Sequence, residues 1–366
     1  MNYILFFLIL VSPGFKIIGQ TTTFGSLAGS SGANCCYFGN FAGGSADPLI
    51  YVHNNTFLGW ASGAQNTTGF GNTYLGSTAG YNNLTGSGNV AVGYLTAHDA
   101  QDSNDNVFVG LYSGRHNIGS YNVFIGAYTG STSSQGTLNT FLGNSSGPHH
   151  TSGQKNSFLG QSSGYNVFTG ENNTYLGSES GYNNTNGSNN LFLGFQAGYN
   201  EVGNNKLVIN NNNSSIPLVY GEFDNKKIGI NTKLVPSGYT LGVKGKIITE
   251  EVKVQLTSGG VWPDYVFNKD YQLNSLEYIS DYVKEKGHLP EVPSSEDIRK
   301  NEGYELGEMD RILLKKVEEL TLYLIEQNKE MIELNKEMTE QKNIIKEQNK
   351  RIQKLEDQLE LFSKSK

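Results

Sequence analysis

The sequence predicts a mainly β repeat solenoid, then a small β module, short helices and a C-terminal parallel coiled coil. Three observations carry this reading. A phrase recurs about every 17 residues through the first 210, charge rises steeply after it, and an unbroken heptad pattern closes the chain. The chain has 366 residues, 45 of them Gly, with 17% charged residues and a net charge of −7. Before Lys206 the only basic residues are Lys16, Arg115 and Lys155, whereas the last hundred residues are rich in Lys and Glu. So little positive charge leaves no phosphate footprint, so no nucleic-acid partner is expected. Two Cys exclude a disulfide-dense scaffold and a Cys-rich zinc module.

Residues 1–19 read as a signal peptide. Tyr3 to Val11 is an apolar run too short for a bilayer core of ~30 Å but suited to the core of an export signal. Cleavage is expected between Gly19 and Gln20. No other apolar run approaches the ~18 residues of a spanning helix, so the mature chain should carry no transmembrane segment. An exported protein, extracellular or on the outer cell surface, is expected. The vicinal pair Cys35-Cys36 reads as two small buried residues rather than an inter-chain disulfide.

Residues 20–213 carry the repeat. Each copy reads Asn, a small or branched residue, an aromatic or Val, an aliphatic, Gly, two variable residues, a small residue, Gly, as in Asn55-Thr-Phe-Leu-Gly-Trp-Ala-Ser-Gly63. The first Gly falls at 25, 39, 59, 76, 93, 110, 126, 143, 160, 177 and 194. The apolar triplets favour strand, and the flanking Asn and Gly favour tight turns. Seventeen residues cannot bury an apolar face alone, but stacked copies share a core. Eleven steps at the strand spacing give a body roughly 50 Å long. Side chains alternate across a strand, so the bulky pairs Phe57/Leu58, Phe124/Ile125 and Phe158/Leu159 must point in opposite directions. One set fills the core; the other leaves an apolar stripe that identical chains are expected to cover.

Residues 214–260 read as a β connector module, with β-prone runs at Leu218–Tyr220, Lys227–Ile230, Leu241–Val243 and Val252–Val254. Residues 261–307 form a neck with helices expected at about 273–286 and 295–301, the second opened by Ser294 and Asp297 in a capping-box-like start. Residues 308–366 form the coiled coil. Its d positions are Leu313, Leu320, Gln327, Leu334, Gln341, Gln348, Leu355 and Phe362; its a positions are Val317, Leu324, Met331, Met338, Ile345, Ile352 and Leu359. The alternating spacing of four and three predicts a left-handed supercoil of roughly 75 Å.

The Asn-x-Φ-Φ-Gly-x-x-(Ala/Ser)-Gly phrase resembles the head repeat of YadA-like trimeric autotransporter adhesins. That resemblance covers about residues 24–210 and implies three chains packing left-handed parallel β-rolls; the period here is longer and the aromatic position bulkier. Trp262–Phe267, His288-Leu-Pro290, Leu306–Met309 and Leu313–Tyr323 resemble the end region of Bacteroidetes surface proteins of tail-fibre-like architecture. The resemblance implies a β part joined to a terminal coil, and with the solenoid stripe it favours a homotrimer held through the Leu313–Phe362 heptads.

Enzyme motifs are scarce. Gly86-Ser-Gly88 sits in a repeat turn, not between a strand and a helix as dinucleotide binding requires. His149-His150 reads as a solvated loop pair rather than metal ligands, and together with His53, His98, His116 and His288 these residues do not recur at one repeat position. Asp99, Asp102 and Asp105 read as a polar turn, because the Gly and terminal Glu of an EF-hand are missing. No catalytic, cofactor-binding or metal-binding residue is therefore assigned, and no cofactor is expected. The reading is a non-enzymatic, adhesin-like surface fibre whose partners are its own copies, with glycans or a host or cell surface as further partners. The alternatives are a polysaccharide-degrading β-helix, which needs two facing acids, and a tail-fibre-like protein with a C-terminal trimerisation chaperone. The Ser-Asp signature of such a chaperone is not evident, since Ser280-Asp281 falls in a predicted helix. An ice-binding Thr array is weak, because Thr fills the pre-aromatic slot in only some copies.

Overall fold

The computed structural model describes residues 22–25, 28, 29, 33–44, 52–255 and 261–364. The expected signal peptide and its cleavage site lie outside the described residues, as does the side chain of Phe362. The chain divides into two compact units, one ending at Ile247 and one beginning at Ile248.

The first unit is a parallel β-solenoid of about twelve turns. Its strands are β1 (Thr22–Phe24), β2 (Cys36–Phe38), β3 (Thr56–Leu58), β4 (Thr73–Leu75), β5 (Val90–Val92) and β6 (Val107–Val109). They continue as β7 (Val123–Ile125), β8 (Thr140–Leu142), β9 (Ser157–Leu159), β10 (Thr174–Leu176), β11 (Leu191–Leu193) and β12 (Lys206–Ile209). Each strand pairs in parallel with the next, residue on equivalent residue: Phe57 stands on Tyr74, and Phe141 on Phe158. Coil positions are counted below from the Asn that opens each phrase, so that Asn55 is position 1 and Gly71 position 17.

Of the two apolar sets, the aromatic one is inside. Position 3, from Tyr37 to Phe192, is buried in every coil. Neighbouring rings lie with centroids 4.6–5.3 Å apart, stacked except for the tilted Phe108–Phe124 pair, and the column is interrupted only at Ala91. Such contacts contribute about 0.5–1.5 kcal/mol each beyond burial. Room for each ring comes from the Gly at position 9. At Gly63 the backbone is left-handed (φ +56°), and a Cβ there would lie 2.6 Å from the Phe57 ring. The coil that lacks the ring also lacks the glycine: Ala91 stands at position 3 and Ala97 at position 9. At position 5, a Cβ on Gly59 would lie 2.4 Å from the carbonyl oxygen of Gly76 in the next coil.

Position 1 explains the Asn content. The backbone N–H of Asn72 donates to Asn55 Oδ1 (2.8 Å), while Asn55 Nδ2 donates to the Gly69 carbonyl (2.9 Å). The same pair of bonds repeats from coil to coil up to Asn190. Nine buried Asn thus form a ladder that satisfies its own amides and the turn carbonyls beside them. Cys35 takes the place of Asn in its coil and is buried, but Cys36 occupies outward position 2 and is exposed; both thiols are free. The expectation of two buried Cys is corrected for Cys36, because adjacent strand residues face opposite ways.

The sheet continues past the repeat. β13 (Val219–Glu222) pairs antiparallel with β12, β14 (Lys227–Ile230) antiparallel with β13, and β15 (Leu241–Val243) parallel with β14. These strands extend one 15-stranded sheet. Val252-Lys-Val254, expected as a β-prone run, forms no strand; propensity alone does not make one without a paired neighbour.

The second unit contains a 3₁₀ turn (Pro263–Phe267), α1 (Leu276–Lys286), α2 (Ser295–Lys300) and α3 (Leu306–Lys364). Ser294 and Asp297 form the expected capping box, and Gly287 closes α1 in the left-handed conformation. The 3₁₀ turn packs on the start of α3, where Val266 and Ile312 are buried. Lys315 pairs with Glu291, and Tyr271 Oη donates to Glu319.

Candidate interaction face

Positions 2 and 4 flank the buried ring on each strand and therefore share the outward face. Position 4 runs Phe38, Leu58, Leu75, Val92, Val109, Ile125, Leu142, Leu159, Leu176 and Leu193. Beside it, position 2 runs from Cys36 and Thr56 through Val107 to Leu191. From β2 to β11 neither row contains a charged residue. Leu58, Leu142 and Leu176 remain 40–45% exposed. Nine steps of strand spacing give an uncharged ribbon ~43 Å long.

A second apolar row lies on α3. The neck covers one side of the first turns, where Ile312 and Glu319 are buried, while Leu313, Val317, Leu320 and Leu324 on the heptad side are each at least 50% exposed. Farther on, Met331, Leu334, Ile345, Ile352, Leu355 and Leu359 are exposed too. No helix among the described residues is long and apolar enough to cross a membrane.

The polar residues singled out from sequence fall into separate columns. Asp99 stands at position 11, where its carboxylate meets His98 Nδ1 and His116 Nδ1, each at 2.7 Å, and accepts from Asn82 Nδ2 at 2.7 Å. Partial burial alone would raise this carboxyl, but the hydrogen bonds from His98 and Asn82, with His116 alongside, hold it below the usual carboxylate range. Asp102 instead accepts from Thr85 (2.6 Å), and Asp105 sits in the left-handed turn at position 17, so the three Asp do not converge. Glu179 accepts from Gln196 and Glu201 pairs with Lys233. The sequence reading missed the His98–Asp99–His116 group, although Asn82, Asp99 and His116 lie at exact repeat offsets that reading by column exposes.

His150 requires a correction. It is not solvated but fully buried, at position 12, the slot held by Asn66, Asn83, Asn117 and Asn184 in other coils. Its Nε2 lies 3.0 Å from Asn156 Nδ2, and burial pushes its pKa down to about 4 despite the Gly170 carbonyl. A polar side chain in a loop reads as solvated until the coil register shows that the slot faces inward. His149 stays half-buried against Tyr165, with centroids 5.0 Å apart. Ser280 and Asp281 lie in α1, where Asp281 pairs with Lys284 at 3.3 Å.

Among the described residues no group of three or more His, Cys, Asp or Glu is arranged to hold a metal ion. The chain matches no protein-family model, no curated protein and no solved structure. The most extended surface features among the described residues are the two long apolar rows.

Proposed function

We propose that the chain is an exported, non-enzymatic surface fibre protein, a homotrimer with an adhesin-like solenoid head and a parallel coiled-coil stalk. The observation that carries this reading is that both units expose a long apolar row with a regular repeat. Copies of the same chain fit such rows best. An uncharged ribbon at fixed strand spacing is complementary to itself in register, and a heptad seam is buried only by further helices. Three chains, left-handed solenoids and a parallel arrangement follow from the resemblance to trimeric adhesin heads. Gln327, Gln341 and Gln348 at d positions would set register at some cost in stability.

The neutral Asn/Ser/Thr-rich surface of the head suits hydrogen bonding to glycans or another cell surface. The test is to produce the full chain, fractionate the culture for surface-exposed material and measure binding of the purified protein to cells. Surface recovery and saturable adhesion are expected, with both adhesion and trimer mass reduced by the pair Leu142→Asp and Leu159→Asp. Sugar release from polysaccharide by the wild-type chain, or confinement inside the cell, would contradict the reading.

A further inference from the structure

Position 10 turns outward just after the buried glycine, and in the last repeats it carries Tyr165, Tyr182 and Tyr199. These rings stack along the solenoid with centroids 4.9 and 4.8 Å apart and planes within 7°. Earlier in the chain the same column holds Tyr81 stacked on His98, at 5.1 Å and 5°. On the other side of Tyr81 the column loses its rings, because the residues there are Ala64 and Gly44. Position 7 shrinks alongside, from Phe41 in one coil to Ala61 in the next, while Trp60 stands at position 6. The missing bulk leaves a pocket of about 440 Å³ lined by Phe41, Trp60 and Tyr81 from three coils, together with Ala61, Ala64 and Gln65. Trp60 and Phe41 are 55% and 44% exposed.

We propose that this pocket binds a neutral pyranose unit of a glycan, its ring stacking on Tyr81 where the column omits a side chain. Three aromatic faces from three successive coils suit the C–H face of a sugar, and one amide supplies a donor and an acceptor for hydroxyls. None of the described residues that line the pocket carries a formal charge, and a neutral ligand matches that lining. The assignment rests on the adhesive reading above and locates its contact point.

The test uses the full chain carrying Trp262→Phe, which leaves Trp60 as the single tryptophan. Cellotetraose, chitotetraose, maltotetraose and, separately, choline chloride are titrated against its fluorescence. At least one of the three oligosaccharides is expected to give a saturable change. Ala64→Tyr, which restores the ring carried by this column in later coils, is expected to raise the half-saturation concentration at least tenfold. Folding of that variant is checked by its sedimentation mass and far-UV circular dichroism; should it fail to fold, Phe41→Ala replaces it with the same expectation. Equal affinity in the folded variant, no response to any oligosaccharide, or saturation by choline alone overturns the assignment. Should the wild-type chain adhere to cells as a trimer while showing no oligosaccharide response, the pocket is overturned and the fibre reading stands. A monomeric chain that nevertheless binds sugar through Trp60 overturns the fibre reading and leaves the pocket.

Discussion

His150 shows how one residue in a repeat answers to its column rather than to its neighbours in sequence. Its imidazole is buried and held neutral, with its pKa lowered from 6.5 to about 4. Because the folded value lies below the unfolded one, the unfolded chain binds the extra proton first. The stability contribution is therefore complete above pH 6.5 and is lost as pH falls toward 4, a difference on the order of 3 kcal/mol. Asp99, depressed below the usual carboxylate range, loses its contribution only at lower pH. His150→Asn should flatten the fall in the urea midpoint between pH 6.5 and 4 while keeping the fold, since Asn fills the same slot in four other coils. Identical pH profiles for the two proteins would show that His150 is not the titrating group.

Among the elements, the rung is the unit that packs, and its ring and glycine are fitted to one another. The coil with Ala91 and Ala97 shows both changes together, so a coupling is expected elsewhere. Gly114→Ala alone should cost about 2 kcal/mol or more, from a left-handed backbone (φ +57°) and a Cβ placed 2.7 Å from the Phe108 ring. Phe108→Ala alone should cost about 3–5 kcal/mol through the cavity it leaves. The double variant should be less damaging than the sum by about 1 kcal/mol or more, read from denaturation midpoints in a double-mutant cycle. Additive losses would mean that the glycine serves only the turn.

Much of this element structure was legible in the sequence. The period placed every strand from Cys36–Phe38 to Leu191–Leu193, and the heptads marked α3. Which of two bulky residues enters the core was not, because alternation states only that they part company; the glycine that accommodates the ring decides it. The left-handed backbone at position 7 was equally hidden, since Leu95, Tyr112 and Tyr128 adopt it without any turn-forming side chain to announce it. His150 and the His98–Asp99–His116 group became visible only when residues were read down columns. Continuation of the sheet through β13–β15 was obscured because the repeat ends at β12 while strand pairing does not.

At the scale of the whole molecule, the two units expose apolar rows of unrelated periodicity, one set by strand spacing and one by the heptad. On the fibre reading proposed above, copies of the same chain cover both rows, and this is the claim most open to test. Sedimentation equilibrium of the full chain tests it most directly, run beside a variant with Leu320→Asp and Leu324→Asp on the heptad seam. A mass of three chains of 40.0 kDa each is expected for the wild type, less any export signal removed, with a smaller mass for the variant. A wild-type protein that sediments as a single chain at micromolar concentration would contradict the account.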